Sequence, residues 1–249
     1  MSKRSITMKS LVKTFNSFAY EHDLWTLFSD WLDLAACSIS CQVDFATREI
    51  REGRYMETIS RYKPEDQNLF GQILGQVAIE LERPRDVLGD LFGELELHSK
   101  AKGQFFTPYH LSRMMADIVV EDQERYRLCE PACGSGGMVI AFSEALRSKG
   151  KNPQRVLHAY CQDIDLRAVQ MCYIQLSLLG ISAVVDHMDT LRMERISPPW
   201  KTPAYMMGPA LWMLLDEQNA PEKTGQLSLF EDQGHSGRQN LMSEHICSL

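Results

Sequence analysis

The part of the chain best suited to chemistry is a glycine-rich turn between a predicted strand and a predicted helix. It reads LCEPACGSGGMVIAF over residues 128–142, with glycines at 134, 136 and 137. Glycine lets the backbone turn sharply and approach a bound molecule where a side chain would collide. The following helix presents unpaired N–H groups toward that molecule. The turn therefore predicts a ligand site, although an ordinary tight connection or a dinucleotide site could have the same composition.

An acidic residue follows each of the next two predicted strands. Asp163 stands in the segment CQDID, where a carboxylate can accept hydrogen bonds from both hydroxyls of a ribose and Ile164 can press against an adenine ring. Asp189 stands in the segment HMDT and can accept from an exocyclic amine. A glycine turn and two acids at three successive strand ends predict a nucleoside pocket, at the place where open α/β sheets bind their ligands.

The elements that must position these residues are predicted from hydrophobic periodicity. Apolar residues at helical spacing dominate the first hundred positions, and strands alternate with helices after residue 103, as in half of a doubly wound sheet. The predicted helices cover residues 10–40, 64–81, 84–95, 111–120, 138–149 and 166–179, and the predicted strands cover 127–130, 156–162 and 183–187. We predict an α/β fold with a helical domain at 1–100, a Rossmann-like domain at 101–215 and a disordered polar tail at 216–249. Regular structure is expected to fade after Asp189, with one more strand or helix within 202–215.

Four short motifs in order, GQFFTP, EPACGSGG, QDID and MDT, resemble those of the modification subunits of type I restriction-modification systems. Those subunits are N6-adenine DNA methyltransferases that use S-adenosylmethionine. The similarity begins near Asp86, within DVLGDLF, and runs to about Leu191. It implies a Rossmann-like S-adenosylmethionine-dependent methyltransferase sheet, truncated in its C-terminal half, behind a helical N-terminal domain.

The resemblance implies roles for the matching positions. The GQFFTP motif would line the methionine end of the cofactor, and the glycine-rich turn would hold its methionine part. Asp163 would bind the ribose, Ile164 would contact the adenine, and Asp189 would meet the adenine amine. The implied cofactor-binding residues are Phe105, Phe106, Thr107, Pro108, Glu130, Ala132, Gly134, Ser135, Gly136, Asp163, Ile164 and Asp189. A plainer alternative is that GQFFTP caps a helix through Thr107 or Ser112.

Ser197, Pro198, Pro199 and Trp200 resemble the catalytic tetrapeptide of the same family. An exocyclic amine is a poor nucleophile, so such enzymes flip the base out of the duplex, hydrogen-bond its amine and stack an aromatic ring on it. Ser stands where adenine-specific enzymes have Asn or Asp, which leaves N4-cytosine methylation open. The apolar strand expected before the motif is missing from TLRMERI. A non-catalytic cofactor-binding or adaptor protein, or methylation of protein or RNA, therefore remains an alternative to DNA methylation.

The polar tail contains the apolar pentapeptide QLSLF. Gln226, Leu227, Leu229 and Phe230 resemble the motif by which bacterial proteins attach to the DNA polymerase sliding clamp. Two apolar residues would fill a pocket, and a disordered segment would bind with modest affinity because ordering it costs free energy. The expected partners are thus DNA, the clamp and a specificity subunit. The other readings of QLSLF are docking on the chain's own surface or chance.

Composition limits the remaining function classes. The net charge is −7, and the six acids and two bases after residue 215 account for −4 of it, so a local basic groove for DNA is not excluded. Seven cysteines without metal-type pairs suit a reducing cytoplasm and predict neither a disulfide framework nor a metal site. The N-terminus lacks a signal peptide, and no apolar run reaches the roughly 18 residues of a membrane span.

Overall fold

The computed structural model describes residues 3–18, 23–95 and 107–208, with side chains from residue 8. Nine helices and five strands lie in these ranges, and residues 203–208 are helical as well. The helices are α1 Lys3–Phe18, α2 Leu24–Ser40, α3 Arg48–Ile59, α4 Pro64–Leu81, α5 Val87–Glu94, α6 Tyr109–Val119, α7 Gly137–Ser148, α8 Pro153–Val156 and α9 Leu166–Leu178. The strands are β1 Tyr126–Glu130, β2 Leu157–Asp163, β3 Ser182–Asp189, β4 Glu194–Arg195 and β5 Trp200–Lys201.

The N-terminal helices begin where local chemistry favours a cap. The Asp23 carboxylate accepts from the backbone N–H of Thr26 at 2.9 Å and starts α2. Pro64 stands in the first turn of α4, where its missing N–H removes no helical bond. Helix α3 was not predicted, because its sequence REIREGRYMETI is mostly polar and buries only two residues, Arg51 and Thr58.

Three parallel strands, in the order β1-β2-β3, form the main part of a five-stranded sheet, and the helices α7 and α9 lie in the connections between them. Tyr126 pairs with Leu157 at the start of β1, and Asp163 pairs with His187 at the end of β2. All three predicted strands are present within one or two residues of their predicted ends. The α/β fold class is therefore confirmed.

The prediction that regular structure fades after Asp189 is wrong. Two short strands follow, and both pair antiparallel with β3: β4 through Met188 and Arg195, and β5 through Val185 and Trp200. Strands of two residues have no measurable periodicity, so pattern reasoning could not find them. Within the predicted segment 202–215, residues 203–208 are helical.

One apolar core contains buried residues from both the helices and the sheet. Trp31 and Leu88 from the N-terminal part belong to the same cluster as Ile140, Tyr173 and other residues around the strands. The predicted domain boundaries near residues 100 and 215 fall outside the described ranges and stay predictions. Across those ranges, no helix combines the length and the apolar character that crossing a bilayer requires.

Candidate ligand site at the strand ends

The glycine-rich turn after β1 has a backbone that only glycine adopts easily. Gly134 has a φ of 52° and Gly136 a φ of 93°, both in the left-handed region. A Cβ atom on Gly136 would lie 3.0 Å from the Cys172 sulfur of α9, closer than ordinary contact. Helix α7 starts directly after this turn without a side-chain cap. The first N–H groups of α7 therefore receive no hydrogen bond acceptor from an N-cap side chain.

Asp163 connects the turn to the end of β2. Its Oδ2 accepts from the backbone N–H of Gly134 at 2.9 Å, and its Oδ1 accepts from the N–H of Asp165 at 2.9 Å. The backbone N–H of Cys133 donates to the carbonyl of Gln162 at 2.8 Å. The Asp163 carboxylate thus lies against the turn at Gly134. Each carboxylate oxygen keeps a second lone pair for a further donor.

The end of β3 meets the same turn. The Thr190 hydroxyl donates to the Pro131 carbonyl at 2.9 Å, which ties the residue after β3 to the residue after β1. Asp189 accepts through Oδ1 from the backbone N–H groups of Leu191 and Arg192, so it caps the loop that follows. Ile164 is 62% exposed, an unusual position for an apolar side chain beside three strand ends. The three turns therefore adjoin one another, and we call the surface where they meet the crevice.

His187 forms a hydrogen bond with the loop that contains Ile164. Its Nε2 lies 3.1 Å from the Ile164 carbonyl and its Nδ1 lies 3.1 Å from the Ser197 hydroxyl. Because a carbonyl can only accept, Nε2 is the donor in the contact with Ile164. Ser197 is thereby held near the loop that contains Ile164. No local sequence pattern points to this role of His187.

Two carboxyls of the crevice are partly removed from water. Burial raises the pKa of Asp163 and also that of Glu130, whose Oε1 accepts from the backbone N–H of Ala132 at 3.4 Å. A buried carboxylate is stabilised by a donor or a cation that replaces its lost hydration. The pair can therefore bind hydroxyl and ammonium groups.

Three thiols lie beneath the turn. The Cys133 side chain hydrogen-bonds with those of Cys161 and Cys172, and all three residues are buried. The contact with Cys161, together with burial, raises the pKa of the Cys133 thiol. The contacts with Cys133 and Cys161, together with burial, raise the pKa of the Cys172 thiol. Cys133 and Cys172 are thus suited to packing under the turn rather than to nucleophilic chemistry.

The GQFFTP motif is described only at its end. Phe105 and Phe106 lie outside the described residues, while Thr107 and Pro108 are exposed just before α6. Pro108 is the N-cap residue of α6, without a side-chain cap bond, and Ser112 is buried inside the helix. The alternative that Thr107 or Ser112 caps this helix is therefore wrong.

The Ser-Pro-Pro-Trp segment begins with the half-buried Ser197 and ends with the buried Trp200. Trp200 is 3% exposed, packs on Tyr173 with ring centroids 5.2 Å apart, and has the Arg51 guanidinium 4.1 Å from its ring centroid. Arg51 also donates to the Pro199 carbonyl at 2.7 Å. In this position the Trp200 ring has no free face for a base. The predicted catalytic role of Ser197, Pro198, Pro199 and Trp200 thus stays a prediction that the position of Trp200 does not favour.

The sequence of this chain is similar to those of known methyltransferases. Residues 84–207 match the sequence profile of the family described as N-6 DNA Methylase. Among curated proteins, the Type I restriction enzyme MjaIX methylase subunit of Methanocaldococcus jannaschii is 31% identical over 103 residues. The MjaVIII methylase subunit of the same organism is 40% identical over 81 residues. The matches cover 39% and 30% of this chain, and only 18% and 13% of those relatives.

Solved structures with partial similarity carry related descriptions. A type I restriction-modification methyltransferase subunit from Streptococcus thermophilus has 15% identity and a TM-score of 0.42, covering 79% of this chain and 61% of that one. A modification subunit of a putative type I restriction enzyme from Vibrio vulnificus has 20% identity and a TM-score of 0.38, covering 46% and 25%.

Proposed function

We propose that the chain, whose residues 84–207 match the N-6 DNA Methylase family, binds S-adenosylmethionine. We propose further that it transfers the methyl group of this cofactor to an exocyclic amine of a DNA base, adenine N6. The observation that carries the cofactor site is the bond from the Gly134 N–H to the Asp163 carboxylate, which brings the glycine turn and the acid together. It supports a nucleoside site and does not by itself identify the methyl acceptor.

The residues of the crevice fit the parts of that cofactor. Asp163 keeps lone pairs for the ribose hydroxyls, and Glu130 would accept from the ammonium of the methionine part. Exposed Ile164 would cover one adenine face, and Asp189 would accept from the adenine amine. Bound there, the cofactor supplies an electrophilic methyl group. The chain's own part is to orient it and to exclude water.

The proposal is tested by calorimetry with S-adenosylhomocysteine, followed by transfer of labelled methyl groups to bulk DNA and analysis of the nucleosides. We expect binding, transfer, and label in N6-methyladenine. Label in N4-methylcytosine would replace adenine by cytosine as the target. Binding without transfer would assign a cofactor-binding or adaptor protein. Label on protein or RNA alone would show that the methyl acceptor is protein or RNA and not DNA. No binding of S-adenosylhomocysteine would refute the proposal.

A specificity subunit is proposed as a partner because the curated relatives are subunits of type I restriction enzymes. The chain spans a small part of their length, so this partnership does not follow from the similarity alone. Transfer to DNA by the chain on its own, at the rate reached in the presence of such a subunit, would remove the need for it.

We propose, separately, that Gln226, Leu227, Leu229 and Phe230 bind the DNA polymerase sliding clamp. These residues lie outside the described ranges, so the proposal rests on their sequence. Fluorescence anisotropy of the full chain with purified clamp is expected to show micromolar binding, and the Leu229→Ala, Phe230→Ala double variant should lose it. Equal binding by both proteins, or none at tens of micromolar, would contradict the proposal.

A further inference from the structure

A buried carboxylate from the N-terminal helices lies directly beneath the glycine-rich turn. Asp86 is the N-cap of α5, where its Oδ1 accepts from the backbone N–H of Gly89 at 2.9 Å. Its Oδ2 accepts a hydrogen bond from the Ser135 hydroxyl, 49 positions later in the chain. Asp86 is 5% and Ser135 1% exposed, so water does not compete for this bond. One carboxylate therefore joins the start of α5 to the turn after β1.

Gln175 of α9 completes the connection. Its Nε2 donates to Asp86 Oδ1 at 2.9 Å and to the Ser135 carbonyl at 2.7 Å. Its Oε1 accepts from the backbone N–H of Leu88 at 3.1 Å. The side chain is fully buried, so each of these bonds replaces water that the amide has lost. Gln175 thus fixes the backbone of α5 and of the turn at once.

The Asp86 carboxylate occupies space that is available because residues 89 and 137 are glycines without a Cβ atom. A Cβ atom on Gly89 would lie 2.2 Å from Asp86 Oδ2, and one on Gly137 would lie 3.0 Å from the same atom. Gly89 accommodates the N-cap of α5. Gly137 belongs to α7 instead, and a carboxylate that only capped α5 would not need to approach it. The contact with Gly137 and the bond from Ser135 show that Asp86 is directed at the turn.

We propose that Asp86, Gln175 and Ser135 form a positioning network that holds the glycine-rich turn in its ligand-binding conformation. The inference rests on the proposed binding of S-adenosylmethionine. All three side chains are buried, so they act through the backbone of the turn rather than by touching the cofactor. A turn that is ordered beforehand loses less conformational entropy on binding, and affinity rises accordingly. The hydroxyl of Ser135, predicted as a cofactor contact, is thereby assigned a different role.

The test compares full-length variants that remove one partner each. Ser135→Ala deletes the hydroxyl, and Gln175→Met keeps the side-chain length without the amide. Ser143→Ala is the matched control, because Ser143 is equally buried but bonds only to the carbonyl of Ile140 in its own helix. Three quantities are measured: affinity for S-adenosylhomocysteine, hydrogen exchange of the amides at 134–137, and the free energy of unfolding in urea.

Ser135→Ala and Gln175→Met are each expected to weaken binding about tenfold, equal to about 1.4 kcal/mol, which is the size of one buried hydrogen bond. Exchange at 134–137 should accelerate, while Ser143→Ala stays within about twofold of wild type. The double variant Asp86→Asn, Ser135→Ala is compared with its two single variants. It should bind the ligand no more weakly than the weaker-binding of those two, because both changes remove the same bond between Ser135 and Asp86.

Affinity and exchange within about twofold of wild type, with only the unfolding free energy lowered, would overturn the inference and leave a purely structural network. If the wild type itself does not bind the ligand, the proposed function fails first. Exchange at 134–137 then still decides whether the network holds the turn, because that measurement needs no ligand.

Discussion

The Asp163→Ala variant is expected to lose at least about a hundredfold in affinity for S-adenosylhomocysteine. The change removes the proposed acceptor for the ribose hydroxyls, and it also removes the acceptor for the Gly134 N–H. Two hydrogen bonds to a charged group contribute about 3 kcal/mol or more together, and 1.4 kcal/mol corresponds to a factor of ten. Calorimetry on the folded variant measures the effect.

Asp163→Asn and Asp122→Ala are the controls for that variant. Asn keeps one oxygen for the Gly134 N–H and loses the second acceptor, so its affinity should fall between those of wild type and Asp163→Ala. Asp122 is an exposed acid bridged to Lys151 at 2.6 Å, away from the crevice, and its removal should leave affinity unchanged. Wild-type affinity in Asp163→Ala would show that the ligand binds elsewhere.

The Trp200→Ala variant is expected to be destabilised by about 3–5 kcal/mol, the usual consequence of deleting a fully buried aromatic side chain. Trp200 fills the space between Tyr173 and Arg51, and its loss leaves the Arg51 guanidinium facing a cavity. Urea unfolding followed by circular dichroism measures the change. Trp200→Phe should restore most of the stability, because it keeps an aromatic ring in the same pocket.

The same variant separates a packing role of Trp200 from a role in base stacking. If Trp200 stacked on a flipped base, Trp200→Ala would fold nearly as stably as wild type and lose methyl transfer alone. An unfolding free energy within about 1 kcal/mol of wild type, together with lost transfer, would contradict the position of Trp200 in the core. Arg51→Met tests the other side of the contact and should lower stability without changing affinity for the cofactor.

The sequence predicted the elements that carry strong periodicity or glycine chemistry. The strand, turn and helix around Gly134 and Gly136, and the acid at Asp163, were placed correctly because a left-handed turn and a strand-end carboxylate have local signatures. Helix α3 was missed because its polar sequence buries little, and β4 and β5 because two residues have no period.

The contacts that hold the turn could not be predicted in the same way. Asp86 stands where the family resemblance begins, and its position before a helix is explained locally by a role as N-cap. Its bond to Ser135, by contrast, depends on tertiary packing across the core. Gln175 stood inside a predicted helix with no signal beyond its polarity. The burial of Trp200 likewise depends on Arg51, 149 positions earlier, to which no local pattern points.

We propose that the turns after β1, β2 and β3 together form one nucleoside pocket. A crystal structure of the full chain grown with S-adenosylhomocysteine tests it most directly. We expect the ribose hydroxyls within hydrogen-bonding distance of the Asp163 carboxylate, and the amino acid part of the ligand along the turn from Gly134 to Gly136. Ligand bound away from Asp163, or no bound ligand at a saturating concentration, would contradict the claim.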